Sequence, residues 1–171
     1  MFKQDSERIT KMSIDRAKAY LRQFGLEDKV LEFDVSSATV ELAAQALSCA
    51  PERIAKTLSF EAENGCMLVV AAGDAKVDNA KFKAAFGRKA KMLAPEDAER
   101  LVGHAVGGVC PFGVREGVPV YLDASLQRFE TVFPACGSSN SAIELGCDDL
   151  FSLAKAEKWV DVCKGWRPEE G

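Results

Sequence analysis

Histidine occurs once in this chain, as His104, and its scarcity removes several kinds of chemistry together. An H-E-x-x-H zinc site needs a second histidine, and the cysteines offer no Cys/His spacing that would complete a zinc cluster, so no metal and no cofactor is implied. Cysteine is present at positions 49, 66, 110, 136, 147 and 163, yet never as a C-x-x-C pair. The amino terminus "MFKQDSERIT" is too polar for a secretory signal, so reduced thiols and a cytoplasmic location are expected. An apolar run of about 18 residues is also lacking, and no membrane helix is predicted. Neither G-x-x-x-x-G-K-S/T nor G-x-G-x-x-G occurs, which sets nucleoside triphosphate and dinucleotide chemistry aside. "GSSNS", from Gly137 to Ser141, lacks the final glycine of a nucleophile elbow and has no partner histidine.

What remains is a chain of 171 residues, 47% hydrophobic and 28% charged, enough for one well-filled core and one domain over residues 1–171. No internal repeat or low-complexity linker divides it. The net charge is −4, which does not advertise a polyanionic partner. Charge is nevertheless uneven: from Lys76 to Lys91 there are six basic residues against one acidic residue, Asp78. Lys76, Lys81, Lys83 and Arg88 are candidates for a phosphate-facing surface, and a solvated helix face is the alternative.

The pattern alternates between helical and extended segments. Residues 5–25 place Ile9, Met12, Ala17, Tyr20, Leu21 and Phe24 near one helical face, with Gly25 to end it. "VLEFDV" suits a strand, Thr39 an N-cap for "VELAAQAL", and Pro51 a short helical turn. Two apolar strands flank Asn64-Gly65, a hairpin dipeptide, and Lys56 begins the first of them. Asp78 caps a helix that Gly87 ends, "KAKML" suits a strand, and Pro95 opens a helix to about Val102. "VPVYLD", "ETVFPAC" and "SAIELG" suit strands around the helical piece "ASLQRF", with a last helix from about Asp148. Hairpins mixed with helices predict a mixed α/β (α+β) domain.

Two features could carry chemistry. Lys56 stands at a strand start, where a merely solvated lysine is the alternative. The loop "GGVCPFG", Gly107 to Gly113, has glycines that let backbone approach a ligand and a proline that stiffens the turn. Its amides suit the oxygen of an ester carbonyl, which gains charge as a tetrahedral intermediate forms; an ordinary turn is the alternative. Cys110 could be a thiol nucleophile with His104 as base, or simply packed.

"RIAKTLSF", "MLVVAAGDAKVD", "GGVCPFG", "VPVYLDASL" and "ACGSSNSAIELGCDDL" occur in an order that resembles the YbaK/EbsC family, related to the editing domain inserted in bacterial prolyl-tRNA synthetases. The similarity spans about residues 30–155. It implies a curved, barrel-like central sheet with flanking helices, and hydrolysis in trans of amino acids wrongly esterified to tRNA, commonly tRNA for proline, without a metal. By this resemblance Lys56 matches the functional lysine, and Gly108, Pro111 and Gly113 match a G-x-x-P-x-G motif. The resemblance also makes Gly108 a candidate catalytic amide and Gly107 a substrate contact, while Gly137 and Ser138 match a small, polar turn near the pocket. Ser37, Thr39 and Asn140 are further polar candidates, and Ala142 is placed on a pocket-facing strand. The implied partner is aminoacyl-tRNA, with prolyl-tRNA synthetase or an elongation factor met through it; no DNA or membrane partner is implied. A non-catalytic module that binds aminoacyl-tRNA or an amino acid is the alternative function.

Overall fold

The structure, a computed structural model, describes residues 13–34, 39–104 and 109–168. Its organising element is a hairpin of two long strands, β2 (Ile54–Ala62) and β3 (Gly65–Ala72). The uninterrupted apolar run of β3 is buried from Cys66 to Ala72, as a strand covered on both faces must be. The turn between them is Glu63-Asn64, with Ala62 opposite Gly65, one position earlier than expected. Only Gly65 has positive φ, at 141°, so the glycine opens the returning strand.

Around this hairpin the chain adds β1 (Leu31–Glu32), β4 (Lys76–Val77), β5 (Val120–Asp123), β6 (Thr131–Pro134), β7 (Ser141–Ala142), β8 (Leu145–Gly146), β9 (Trp159–Val160) and β10 (Cys163–Lys164). The main sheet runs β8-β6-β2-β3-β5-β9, and β1-β7 and β10-β4 form two small antiparallel ribbons. Parallel pairing of β2 with β6, β3 with β5 and β5 with β9 is mixed with the antiparallel hairpin. The sheet curls into a half-barrel, giving the mixed α/β fold expected. "KAKML" is not a strand: its contribution is one bridge, Phe60 to Met92. "VLEFDV" keeps two paired residues, and "SAIELG" is broken into β7 and β8.

The helices are α1 (residues 13–22), α2 (Val40–Leu47), α3 (Asn79–Phe86), α4 (Pro95–Val102) and α5 (Cys147–Leu153). Local signals start them where expected: Thr39 Oγ1 accepts from Leu42 N at 3.2 Å, and Asp78 Oδ1 accepts from Lys81 N at 3.0 Å. Ala17 and Leu21 of α1 are fully buried in the main core, whereas Phe24 is 47% exposed. Ile9 and Met12 lie outside the described residues. On α3, the Phe82 ring packs tilted against those of Phe60 and Phe86 at centroid distances of 4.9 and 4.8 Å, and the Phe60 contact ties the helix to β2. A smaller apolar cluster of Ala44, Ile54, Phe133 and Ala142 lies beneath α2.

Candidate active site

Between α2 and the β2, β6 and β7 edge lies a cavity of about 420 Å³, within the size range of small-ligand pockets. Its walls are mostly apolar, from Phe33, Val40, Leu47, Ile54, Phe133 and Ala142. Hydroxyls of Thr39, Thr57, Ser59 and the serines at 138, 139 and 141 interrupt them. Lys56 is the one ionisable side chain among the described lining residues.

Lys56 is the third residue of β2, opposite Ala71. Its ammonium donates to the carbonyls of Gly73, at 3.3 Å, and Ala75, in the turn that leaves β3. An ammonium has three donors, and these two carbonyls use two of them. Burial lowers the Lys56 pKa from its ordinary value, because low-dielectric surroundings disfavour the charged form. Gly73 is itself sterically required, since a β-carbon there would lie 2.1 Å from Pro51 O and 2.6 Å from Val40 Cγ1.

The turn after β6 supplies the polar wall. Ser138, buried and lining the cavity, has its Oγ 2.8 Å from Asn140 Oδ1 and 2.8 Å from Ser141 Oγ. Asn140 is outside the lining; its Nδ2 donates to Phe33 O at 3.1 Å, and Phe33 N donates to Asn140 O at 3.0 Å. Asn140 therefore fixes the wall residue Phe33. Thr57 carries no mark in the sequence, yet its Oγ1 is the one buried side-chain oxygen or nitrogen without a hydrogen-bond partner among the described residues. A buried hydroxyl without a partner is costly to the fold.

The glycine loop is organised from its other side. Ser37, Gly107 and Gly108 lie outside the described residues. Val109 lines the cavity, while Cys110 and Phe112 are fully buried core residues. Pro111 and Gly113 instead border a separate cavity of about 380 Å³ with Tyr20, Arg115 and Lys155. A β-carbon on Gly113 would lie 2.9 Å from Arg16 O, and one on Gly137 would lie 2.3 Å from Ser13 O. Both glycines also have positive φ, 68° and 93°. They make room for α1, whose Arg16 guanidinium donates to Gly113 O.

His104 completes this clamp. Its Nε2 lies 2.6 Å from Phe112 O and its Nδ1 2.5 Å from Ser13 Oγ. A carbonyl only accepts, so Nε2 carries the hydrogen and Nδ1 accepts from the serine. Cys110 Sγ is 3.5 Å from that same Nε2, which has no lone pair with which to take a proton. Burial pushes the Cys110 thiol up to about 12 and, as the largest cause, lowers His104 to about 4. The two residues meet, but as packed groups and not as nucleophile and base. Among the described residues no three His, Cys, Asp or Glu side chains gather where they could hold a metal ion.

The profile of a family described as an aminoacyl-tRNA editing domain matches residues 35–153. The chain belongs to that family. It is 51% identical over 156 residues to the uncharacterized protein YwhH of Bacillus subtilis, covering 91% of this chain and 99% of that one. A proline–tRNA ligase of Geobacillus sp. is 30% identical over 102 residues, which are 59% of this chain and 18% of the ligase. A crystal structure provisionally assigned as a trans-editing enzyme for prolyl tRNA synthetase superposes with a TM-score of 0.81 at 30% identity, covering 90% of this chain and 98% of that one.

The basic segment of this editing domain is spread over several surroundings. Lys76 is exposed on β4, and Lys83 is exposed on α3. Arg88 is half-buried beyond α3. Lys81 is turned inward, donating to Cys163 O at 3.0 Å and approaching Asp161 at 3.5 Å. Among the described residues, no helix is long and apolar enough to cross a membrane.

Proposed function

We propose that the chain is a free-standing deacylase that hydrolyses the ester of a mischarged aminoacyl-tRNA, with tRNA for proline carrying a small amino acid as the substrate class. The observation that carries this reading is the pairing of one ammonium donor, Lys56, with a mostly apolar cavity of about 420 Å³. The amino-acid side chain occupies the apolar end beside Phe133 and Ala142. Lys56 holds a ribose or phosphate oxygen of the terminal adenosine with its remaining donor, and the amides of the glycine loop polarise the ester carbonyl. Water adds to that carbonyl carbon, the bond to the ribose oxygen breaks, and the ribose oxygen regains a proton as the amino acid leaves.

The described cavity lining holds no histidine or carboxylate; in this reading the substrate's own amino group, in its neutral form, takes the proton from the attacking water. A panel of tRNAs charged with different small amino acids tests this, assayed for hydrolysis with wild type and Lys56→Ala. The expected outcome is turnover of one charged tRNA for proline and a loss of roughly 10- to 150-fold in kcat/KM for Lys56→Ala, the cost of about 1.5 to 3 kcal/mol for one hydrogen bond from a charged donor. Tight binding across the panel without turnover would instead identify a non-catalytic binding module.

A further inference from the structure

The ribbon formed by β4 and β10 carries an arrangement that folding alone disfavours. Its register sets Lys164 directly opposite Lys76, so two like charges face each other across an antiparallel pair, which is destabilising. Both lysines are exposed, and neither makes an ion pair among the described residues, although carboxylates are close by. Those carboxylates are committed elsewhere. Asp74 pairs with Arg128, Asp161 with Arg167 at 3.0 Å, and Asp78, whose carboxyl is held down in part by the charge of Lys164, caps α3.

The ribbon also stands next to the cavity. The Lys56 ammonium is bonded to Ala75 O, and Lys76 is the following residue. The charge of Lys76 contributes to lowering the Lys56 pKa, after burial. Lys164 belongs to residues 154–168, beyond the family match at 35–153.

We propose that Lys76 and Lys164 together form a phosphodiester-binding ridge that receives the RNA backbone next to the esterified 3′ end held in the cavity. The inference rests on the deacylase reading for what the cavity holds. Its chemistry is direct: a backbone leaving the cavity past Lys56 meets two facing ammonium groups that have no ion pair of their own, and the anion relieves their mutual repulsion. The C-terminal segment, which supplies Lys164, thereby has an RNA-binding role that Lys83 of α3 does not share.

The test measures binding of an uncharged RNA hairpin with a single-stranded 3′ end by fluorescence anisotropy across a salt series. Wild type, Lys76→Gln, Lys164→Gln, the double variant and Lys83→Gln are compared. The double variant should flatten the slope of log K against log salt by about 1.4, or 0.7 for each single-stranded phosphate that no longer meets an ammonium. Lys83→Gln should leave it unchanged, and the melting temperature of the double variant should be equal to or above wild type. In parallel, hydrolysis of an aminoacyl-adenosine, which has no phosphodiester, should fall far less in the double variant than hydrolysis of charged tRNA does. A slope that moves with Lys83→Gln and not with the pair overturns the proposal, as does equal loss of aminoacyl-adenosine hydrolysis in the double variant. If wild type hydrolyses neither charged tRNA nor aminoacyl-adenosine, the deacylase reading falls, while the hairpin slopes still decide the ridge.

Discussion

Acidification should act on this protein through His104 before the histidine itself shows any sign of titrating. In the folded chain Nε2–H donates to Phe112 O and Nδ1 accepts from Ser13, so an added proton would go onto a nitrogen already facing a donor. It would also bury a charge near the Arg16 guanidinium, which opposes it. The unfolded chain binds that proton near 6.5, and the folded chain does not until about 4. Between those values the unfolded state holds more protons, so stability is fully present above 6.5 and is lost as pH falls toward 4. At 1.36 kcal/mol per tenfold change, this amounts to about 3 kcal/mol, most of it gone by about pH 4.5. Urea denaturation at pH 7.0 and 4.5 measures it, with His104→Asn as a reference lacking the titrating ring: wild type should lose about 2 kcal/mol more than the variant on acidification. With one histidine in the chain, a single imidazole resonance reports the same group by NMR and should hold constant down to about pH 5. A resonance with its midpoint near 6.5, or equal acid sensitivity in the two proteins, would refute the buried-neutral assignment.

Gly137→Ala should destabilise by roughly 2 to 4 kcal/mol through positive φ and the clash with Ser13 O, read as a lower melting temperature. Cys110→Ala should cost only about 1 to 2 kcal/mol and retain most deacylation, while iodoacetamide should fail to label Cys110 in the folded protein; activity that disappears with the thiol would refute the packed role. Thr57→Val should stabilise the empty protein by roughly 1 kcal/mol, by removing an unpartnered hydroxyl. A fall in melting temperature would show that the hydroxyl has a partner within the fold.

What is legible in the sequence is what short segments decide for themselves. Thr39, Asp78 and Pro95 start their helices where a cap or a missing N–H predicts, because that chemistry is settled within one turn. The hairpin is legible too, but its register is displaced by one, since Glu63-Asn64 forms the turn without a positive φ at the asparagine. "KAKML" has strand composition and only one partner, Phe60, because pairing depends on which edge is free in three dimensions. In the site, Lys56, Ser138, Thr39 and Ala142 come together at one cavity. Phe33 and Phe133 join them, six residues before Thr39 and five before Ser138, with no local mark to announce it. The glycines of the loop carry a signal whose cause is hidden: at Gly113 and Gly137 the space belongs to α1, more than ninety residues away along the chain. His104 and Cys110 are close in sequence and close in space, yet only the carbonyl of Phe112 determines which nitrogen faces the thiol.

The position of β9 and β10 bears on synthesis of the protein. β5 has a neighbour on its second side only when Trp159 and Val160 pair with Leu122 and Asp123, and β4 finds its partner only in Cys163 and Lys164. The β4–β10 ribbon and this edge of the sheet therefore wait for the last of these residues to leave the ribosome. A chain stalled or clipped before Trp159 would present β5 as an open edge, the geometry that recruits other strands. The segment after α5 thus closes this edge of the sheet, and a copy lacking it would be marked for aggregation more than for partial activity.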